Sequence, residues 1–498
     1  MTTTLLLEMI ASTVGDRPAV GLRSGAATYD DLLADAQVVA CGLRTRGVRT
    51  LGYLGLNGPH LPALLFGAGA AGAAFAPLNY RLTDAQLRDA LAGLAPLSVV
   101  ADADLADRIA GLDGVDVVDR ADLLSAVAPT GEPGFVEPDS IAVILLTSGT
   151  SGPPKAAVLR HQHLMTYIVQ TVELAGAGSD EAILVSVPPY HIAAVSSVLS
   201  SVYAGRRIVS LPAFSPTDWV DTAAAEAVTH AMVVPTMLGR ILDEIESRAI
   251  DLPALRHMSY GGGRMPIATV ERALRLLPGV DFVNAYGLTE TSSTVALLGP
   301  EDHRTAFASA DPVERTRLGS VGRPLPSVEL QIRDVDNAPV GPGMAGEIWV
   351  RGEQVSGEYL THSATDADGW YPTRDRGRLD AGGYLFLDGR ADDVIVRGGE
   401  NIAPGEIEDV LIEHPAVADA AVVGVPDIEW GERIEAFVVP VASQHPSAAD
   451  LREWVRTRLR STRTPEHVHF RSELPSTDTG KLLRRELRAD LLRGGVPE

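Results

Sequence analysis

The sequence is poor in the features that mark secreted, membrane-spanning or zinc-binding proteins. Among its 498 residues there is one cysteine, Cys41, which excludes an internal disulfide and a cysteine-based zinc site. No apolar run reaches the length of a membrane span. The amino-terminal stretch MTTTLLLEMIAS has no basic flank and carries Glu8, which is typical of a short helix and not of a secretion signal. We therefore expect a cytoplasmic protein without an integral membrane segment.

Basic residues are also scarce in this chain. The 42 Lys and Arg residues stand against 65 Asp and Glu residues, which gives a formal net charge of -23 at pH 7. This excess of negative charge disfavours a nucleic acid or an anionic membrane as the main partner. An anionic ligand must therefore be bound by a local site. The hydrophobic content of 45% allows large cores and more than one domain.

The pattern of apolar residues changes twice along the chain. From about residue 18 to 320, apolar runs alternate with helical Ala/Leu-rich stretches, which indicates parallel α/β layers. The predicted strands include Thr50 to Gly55, Leu97 to Ala101, Ala182 to Val187 and Ala231 to Val234. After Gly319, shorter strands with Gly/Pro turns favour a small antiparallel barrel or sheet. From near Arg390 to the end, the pattern is typical of a small α+β unit.

A loop of glycine, hydroxyl and lysine residues follows the apolar run Ile141 to Leu146. Two glycines and two adjacent prolines exclude a helix for LLTSGTSGPPKAA, residues 145–157. Its backbone N–H groups, hydroxyls and lysine suit a phosphate site. Because the spacing fits neither a Walker P-loop nor a nucleophile elbow, this segment alone favours either a phosphate cradle or a flexible surface loop. The residues concerned are Thr147, Ser148, Gly149, Thr150, Ser151, Gly152 and Lys155.

A match to the dinucleotide fingerprint G-x-G-x-x-G occurs at Gly67, Gly69 and Gly72. The fingerprint requires these glycines between a strand and the start of a helix. Here they end the helical stretch HLPALLFGAGAAG, so we predict close packing of a helix and no cofactor at this place.

Five further segments carry residues suited to a nucleotide. They are SYGGGRMP with Gly261, Gly262 and Gly263, NAYGLTE at residues 284–290, GWYPTRDRG with Asp375, GRADDVIVRGGENIAPGEIE with Arg390 and Asp392, and PSTDTGKLLRRELR with Lys481. Each is weak alone. Together with the phosphate-type loop, and in this order, they resemble the adenylate-forming superfamily of acyl- and aryl-CoA synthetases, adenylation domains and luciferases. The resemblance extends from about Asp16 to Arg488 and is closest to bacterial fatty or medium-chain acyl-CoA synthetases.

The resemblance implies an α/β fold in two parts. A large N-terminal domain, residues 1–391, would contain doubly wound α/β layers plus a small β-barrel and would bind the acid and ATP. A small mobile α+β C-terminal domain, residues 392–498, would turn about a hinge at Asp392. The loop of Gly398 and Gly399 would then face the pantetheine of CoA.

The resemblance also implies roles for the matching residues. The loop from Thr147 to Gly152 and Lys155 would surround the ATP phosphates, and the glycines at 261–263 would face the base. Tyr286 would stack on adenine, and Asp375 and Arg390 would bind the ribose hydroxyls. The rest of the cofactor-binding set in NAYGLTE is Asn284, Ala285, Gly287 and Thr289.

The implied catalytic residues are Lys481, Thr289, Glu290 and Lys155. Thr289 would contact the α-phosphate, and Glu290 with Thr147 would hold Mg²⁺. A carboxylate that attacks a polyphosphate needs this neutralising charge. Lys481 would reach into the site during adenylation and withdraw before the thiol enters.

The implied reaction is the ATP-dependent joining of a carboxylic acid to CoA through an acyl adenylate. His191 stands where amino-acid-activating members have an aspartate, and Ala285 where dicarboxylate-activating members have an arginine, so we expect a hydrophobic monocarboxylic acid. The predicted acyl pocket comprises His191, Val234, Met237 and Gly262. Two alternatives stay open: a ligase that loads the phosphopantetheine of an acyl carrier protein, and a non-catalytic acyl- or nucleotide-binding relative. The oligomeric state is open.

Two residues depart from the resembled pattern. Ala156 replaces the glycine that follows the loop lysine, which adds a methyl group. Arg374 replaces the glycine of the usual T-G-D, and this larger change bears either on the ribose side of the site or on the access of CoA.

We predict that Lys481→Ala slows acyl adenylate formation by roughly two to three orders of magnitude, the scale of losing one key electrostatic contact. Pyrophosphate release in a single turnover measures this step. Release at the wild-type rate would contradict the role of Lys481.

Overall fold

The structure is a computed structural model of the chain. It describes residues 1–124, 135–147, 155–398, 400–476 and 482–493. The predicted residues Ser148, Gly149, Thr150, Ser151, Gly152, Gly399 and Lys481 lie outside the described residues.

The strands of the described part are numbered in chain order. They are β1 Pro18–Val20, β2 Ala27–Thr28, β3 Thr50–Leu54, β4 Ala74–Pro77, β5 Leu97–Ala101, β6 Val115–Val118, β7 Ile141–Thr147, β8 Lys155–Arg160, β9 Ala182–Val185, β10 Arg207–Ser210, β11 His230–Val233, β12 His257–Gly261, β13 Asp281–Leu288, β14 Ser293–Leu298, β15 Arg323–Pro324, β16 Glu329–Arg333, β17 Gly346–Arg351, β18 Glu358–Tyr359, β19 His362–Ser363, β20 Tyr371–Leu379, β21 Leu385–Arg390, β22 Ile395–Arg397, β23 Glu400–Ile402, β24 Val417–Asp427, β25 Gly431–Pro440 and β26 His467–Phe470.

The helices are numbered in the same way. They are α1 Thr3–Val14, α2 Tyr29–Arg46, α3 Leu61–Ala71, α4 Asp84–Leu94, α5 Ala103–Ala106, α6 Arg120–Leu124, α7 His161–Thr171, α8 Ile192–Ala204, α9 Pro216–Ala225, α10 Pro235–Arg248, α11 Ile267–Leu276, α12 Pro300–Ala308, α13 Pro312–Arg315, α14 Pro404–Ile412, α15 Ala448–Arg458 and α16 Arg484–Arg493, with 3-10 turns at Thr289–Thr291, Thr316–Gly319, Ala391–Asp393 and Ser461–Arg463. None of the helices in the described ranges is both long and apolar enough to cross a membrane.

Two large sheets form the framework of the first 360 residues. One has the strand order β15-β14-β13-β12-β11-β9-β10-β1-β2 and is parallel from β13 to β1; the other has the order β19-β18-β8-β7-β4-β3-β5-β6 and is parallel from β7 to β6. Strands β4 and β9 are buried along their whole length, as expected where helices cover both faces of a parallel sheet. The predicted α/β layers and their strands are thus confirmed.

The glycines of the apparent dinucleotide fingerprint pack and end a helix, as predicted. Gly72 follows α3 with φ 73°, the left-handed conformation in which glycine commonly ends a helix. A Cβ atom at Gly67 would lie 2.5 Å from Cγ1 of Val39 on α2. Glycine therefore allows α2 and α3 to pack closely.

The region after Gly319 is antiparallel, as predicted, and forms an open sheet of the order β16-β17-β20-β21. The edge strand β21 forms backbone hydrogen bonds with a segment outside this sheet. Leu385 accepts a hydrogen bond from the N–H of Val321 at 2.8 Å and donates one to the carbonyl of Gly322 at 2.7 Å. These bonds attach the four-stranded sheet to the segment before β15, and β21 does not pair with β16 to close a barrel.

The carboxyl-terminal part is the predicted α+β unit. Its sheet has the order β23-β22-β25-β24, and β26 also pairs with β25. Helices α14 and α15 contribute Ile407, Leu411, Leu451 and Val455 to one apolar core, and Leu487 of α16 packs in a second one with Phe437. Helices therefore cover both faces of this sheet. A domain boundary at residue 392 stays a prediction.

The carboxylate of Glu435 is the main buried charge of this unit. It is 1% exposed and accepts hydrogen bonds from Arg433 at 2.5 Å, His467 at 3.0 Å and His469 at 2.7 Å. Burial by itself would raise the pKa of Glu435, but the bonds from these three side chains outweigh it and lower the pKa from 4.5 to about 2.

We predict that Glu435→Gln lowers the free energy of unfolding by about 1.5–3 kcal/mol at pH 7, the worth of hydrogen bonds to a charged group. A depressed folded-state pKa gives stability that is present above the unfolded pKa. The difference from the wild type should therefore shrink as the pH falls from 4.5 towards 2. Urea unfolding followed by tryptophan fluorescence measures both effects. The control is Glu453→Gln, which removes a 54% exposed carboxylate paired with Arg456. Equal effects of the two changes would contradict the stabilising role of Glu435.

Candidate functional site

The two ends of the predicted phosphate loop lie side by side. Thr147 ends β7, Lys155 begins β8, and the two residues are register partners in this antiparallel pair. The hydroxyl of Thr147 donates to the carbonyl of Lys155 at 3.3 Å. Lys155 is exposed, and its Nζ lies 5.5 Å from the centre of the Tyr359 ring. A positive charge thus stands at the base of the loop, at the carboxyl end of a parallel strand, where α/β proteins bind ligands.

The glycine triplet follows β12, which pairs in parallel with β13. Gly261 is opposite Ala285, and a Cβ atom at Gly261 would lie 2.2 Å from the Ala285 carbonyl oxygen. Gly262 has φ 78°, and a Cβ atom there would lie 3.7 Å from Cγ1 of Val234. Gly262 and Gly263 are exposed. The sequence segments SYGGG and NAYG therefore lie side by side, and we call them the glycine edge. At Gly261 to Gly263 this edge has no side chains that would keep a flat ligand away from the backbone.

The segment NAYGLTE continues from β13 into the 3-10 turn Thr289–Thr291. Asn284 is buried, and its Nδ2 donates to the carbonyl of Ser320 at 3.0 Å, so its amide holds a neighbouring loop. A Cβ atom at Gly287 would lie 1.8 Å from the Ser293 carbonyl oxygen. Only glycine therefore allows β14 to return this close. Thr289 is half-buried in the turn.

Tyr286, Asp375 and Arg390 form one connected group. The Tyr286 hydroxyl donates to Oδ2 of Asp375 at 2.8 Å, and Nε of Arg390 lies 3.0 Å from Oδ1 of the same carboxylate. Asp375 and Arg390 are register partners on β20 and β21. Burial, and then the charge of Asp375, raises the pKa of Tyr286 far above 10, so the phenol stays protonated. The structure brings together three residues that are distant in the sequence.

Glu290 is the second carboxylate of this region and, unlike the half-buried Asp375, it is buried. It is 6% exposed, and its Oε1 accepts a hydrogen bond from the Tyr359 hydroxyl at 2.7 Å. The hydroxyls of Tyr359 and Tyr371 are 3.4 Å apart. Neither tyrosine was predicted as part of the site: Tyr359 lies 69 residues after Glu290 and in no quoted segment, and Tyr371 lies in GWYPTRDRG, from which only Asp375 was selected. Their signal in the sequence is only that of apolar strand positions.

The residues of the predicted acyl pocket lie at the starts of two helices. His191 precedes α8, and its ring centre is 4.6 Å from that of Tyr190. Val234 precedes α10 beside Gly262, whereas Met237 of α10 is buried in the core of the large sheet. Ser196 of α8 lies 3.3 Å, Oγ to Oγ, from Ser293. The last contact, which the sequence analysis missed, brings α8 next to the end of NAYGLTE.

The carboxyl-terminal part contacts the glycine edge directly. Arg264, next to the triplet, pairs with Asp409 of α14. Burial raises the pKa of Asp409 to about 6, although Arg264 opposes the rise. Asp392 lies in the 3-10 turn after β21, two residues beyond Arg390. Gly398 has φ 56°, and its N–H donates to the carbonyl of Trp430 at 2.7 Å. The predicted hinge and loop thus immediately follow the group around Asp375.

Arg374, the departure noted in the sequence, occupies a backbone position that suits glycine. Its φ is 62°, in the left-handed region, and its side chain is exposed. The adjacent N–H of Asp375 donates to the hydroxyl of Thr373 at 3.1 Å, which fixes the turn before the carboxylate. The arginine therefore strains the backbone but leaves the geometry of Asp375 intact.

The fold and this combination of groups define an adenylate-forming enzyme, as the sequence predicted. Residues 7–360 match the AMP-binding enzyme family, and residues 406–481 match the AMP-binding enzyme C-terminal domain. The chain belongs to the AMP-binding enzyme family.

Relatives and solved structures agree along nearly the whole chain. A feruloyl-CoA synthase of Amycolatopsis sp is 34% identical over 94% of this chain and 95% of its own length. A fatty acid–[acyl-carrier-protein] ligase of Streptomyces coeruleorubidus is 32% identical over 95% of this chain and 93% of its own. The o-succinylbenzoate CoA synthetase of Bacillus subtilis, in complex with its acyl-adenylate intermediate, has a TM-score of 0.86 at 28% identity and covers 98% of both chains. Its complex with ATP and a magnesium ion has a TM-score of 0.85 at 28% identity, over 97% of this chain and 98% of that one. The predicted class, an acid–thiol ligase, is confirmed by these relatives.

We predict that Arg374→Gly stabilises the protein by about 0.5–1 kcal/mol. A non-glycine residue in the left-handed region costs roughly 1–2 kcal/mol, and glycine loses part of this gain through its greater freedom when unfolded. Calorimetric unfolding measures the change, and ATP affinity should stay at the wild-type value. The control is Arg376→Gly in the same strand, at a position without positive φ, which should destabilise. A loss of ATP affinity in Arg374→Gly would contradict the exposed, non-binding role of this side chain.

Proposed function

We propose that the protein is an ATP-dependent ligase that activates a hydrophobic monocarboxylic acid, aromatic acids included, as an acyl adenylate and transfers the acyl group to CoA. The observation that carries the proposal is the junction of three groups at one place: the bare glycine edge, the Tyr286–Asp375–Arg390 group and the buried Glu290. In the same order, these groups suit the flat base of a nucleotide, the hydroxyls of its ribose and a metal ion bound to its phosphates. The relatives named above all have acid-ligase names.

ATP would bind across this junction. The base lies against Gly261 to Gly263 and Tyr286, and Asp375 accepts hydrogen bonds from the ribose hydroxyls while Arg390 holds its carboxylate. Lys155 and the loop that it ends surround the phosphates, and Thr289 contacts the α-phosphate. Asp375 raises the pKa of Arg390, although burial acts in the opposite direction, so the guanidinium keeps its charge.

The site also fits a divalent cation. In the described ranges no cluster of three or more His, Cys, Asp and Glu is placed to hold a metal, so an ion here depends on the phosphates of ATP. Mg²⁺ is commonly bound in this way, by one or two protein oxygens and substrate phosphates. Glu290 and the Thr147 hydroxyl offer such oxygens. When bound, the ion supplies positive charge to the phosphates.

The reaction has two steps. The carboxylate oxygen of the acid attacks the α-phosphorus of ATP, the bond to the β-phosphate oxygen breaks, and pyrophosphate leaves with its electrons. Lys481 and Lys155 stabilise the growing negative charge. The CoA thiol then loses its proton to solvent, its sulfur attacks the acyl carbon, and the bond between that carbon and the phosphate oxygen breaks, so that AMP leaves with the electron pair. We propose that residues 392–498 turn about Asp392 between the steps, which removes Lys481 and brings the Gly398–Gly399 loop to the pantetheine.

The acid is hydrophobic because the pocket lacks the charges that other classes of acid require. His191 offers no carboxylate to a substrate amine, and Ala285 offers no cation to a second carboxylate. Val234 and Met237 are both apolar and buried, and Val234 lies beside the exposed Gly262. One of the relatives is named for an aromatic acyl group, feruloyl, and another for fatty acids, which supports including both aromatic and aliphatic acids.

The test is pyrophosphate release from ATP and Mg²⁺ with fatty, aryl, polycyclic and amino acids, each with and without CoA. We expect release with a hydrophobic acid, sustained turnover on adding CoA, and no turnover in EDTA. Turnover that requires an acyl carrier protein instead would favour the carrier-loading ligase. Turnover with amino acids alone would contradict the assigned pocket, and ATP binding without release across the panel would favour a non-catalytic relative.

A further inference from the structure

Tyr359 lies between the two charged groups of the proposed phosphate site. Its hydroxyl donates to Oε1 of Glu290 at 2.7 Å, and the face of its ring is 5.5 Å from Nζ of Lys155. The ring centre of His362 is 5.0 Å from its own, at an interplanar angle of 25°. One side chain therefore contacts both the candidate metal ligand and the lysine that ends the phosphate loop.

The direction of the hydrogen bond to Glu290 is fixed by chemistry. A phenol hydroxyl carries the hydrogen and an ionised carboxylate can only accept, so the Tyr359 hydroxyl donates to Glu290. Tyr359 is 9% exposed and Glu290 is 6% exposed. A carboxylate this deeply buried needs a donor, because an unpartnered charge in such a place is costly.

The backbone around Tyr359 is tied to both sides of the site. Tyr359 pairs with Ala157 and Glu358 with Val158, so β18 lies along the strand that begins at Lys155. Arg160 of that strand contacts Glu358 through two hydrogen bonds of 2.8 and 2.7 Å. The N–H of Gly357 donates to the Glu290 carbonyl at 2.9 Å. The position of Tyr359 is therefore fixed on both sides: by β8 of the eight-stranded sheet, and by the turn Thr289–Thr291 that follows β13 of the nine-stranded sheet.

We propose that Tyr359 is a positioning residue that orients the Glu290 carboxylate for the divalent cation and limits the positions of the Lys155 ammonium group. This inference rests on the proposed function. Hydrogen bonds to a metal-binding carboxylate hold it in the orientation that the ion requires. A lysine over an aromatic ring gains a modest attraction that favours that arrangement. Tyr359 acts through these two residues and takes no part in bond making.

The first test is Tyr359→Phe, which keeps the ring and removes the hydroxyl. We expect the Mg²⁺ concentration that half-saturates ATP binding to rise about 10- to 100-fold, the usual effect of losing a partner of a metal ligand. Isothermal titration with ATP at a series of Mg²⁺ concentrations measures this directly, without turnover. ATP binding in EDTA should be unchanged, because the base and ribose contacts stay in place.

The matched control is Tyr384→Phe. The Tyr384 hydroxyl donates to Asp302 at 2.6 Å, and its ring lies 4.3 Å from the guanidinium groups of Arg317 and Arg323, so the same kind of bond is lost away from the site. Its Mg²⁺ dependence should equal that of the wild type. An equal shift in both variants would show a general effect on the structure and overturn the proposal.

A double-mutant cycle separates positioning from packing. If Tyr359 acts through the carboxylate, Tyr359→Phe should add little to the Mg²⁺ shift of Glu290→Gln, whereas independent roles would give additive shifts. Additive shifts, or a wild-type Mg²⁺ dependence in Tyr359→Phe, would overturn the inference while the proposed function stands. Wild-type protein that binds ATP without any Mg²⁺ dependence would contradict the metal site of the proposed function, and the inference with it.

Discussion

The carboxylate of Asp375 connects the parts of the molecule on which the site depends. It accepts a hydrogen bond from Tyr286 of the nine-stranded sheet and pairs with Arg390 at the end of the four-stranded sheet. The chain then enters the turn that holds Asp392 and continues into the carboxyl-terminal unit. A ligand that binds Asp375 therefore contacts a rigid strand on one side and lies close to the proposed hinge on the other. This arrangement offers a physical route from nucleotide binding to the proposed domain movement.

The site also shows how a protein of net charge -23 can bind a polyanion. Its two carboxylates are each bonded to a donor: the half-buried Asp375 to Tyr286 and Arg390, and the buried Glu290 to Tyr359. These bonds limit the repulsion that the carboxylates would exert on phosphate groups. The junction lies where strands of all three sheets of the first 390 residues meet, so its donors come from different layers of the fold. Hydrogen-bond donors and positive charge are therefore placed locally in the site, although the chain as a whole is strongly negative.

Local sequence predicted the framework well because its signals are local. Apolar runs gave the strands β3, β5, β9 and β11 to within two residues at either end, and Gly72 ended its helix as expected. Glycine is required at Gly261 and Gly287, where a Cβ atom would collide with backbone, and it suits Gly262, whose φ is positive. Tyr359 was not predictable in this way. Its contact with Glu290 spans 69 residues and depends on how β18 is added to β8, which no short pattern encodes. The absence of pairing between β16 and β21 in the described structure has the same kind of cause, because β21 bonds instead to a segment next to the other sheet.

The most direct test of this account is the affinity for ATP in Asp375→Asn, a change that keeps the shape of the side chain and removes its charge. Calorimetric titration of the folded wild type and variant with ATP and Mg²⁺ compares them. We predict a loss of about 10- to 100-fold in affinity, the worth of charge-assisted hydrogen bonds to the ribose and to Arg390. Wild-type affinity in the variant would show that the nucleotide does not bind at Asp375, and would contradict the site proposed for this enzyme.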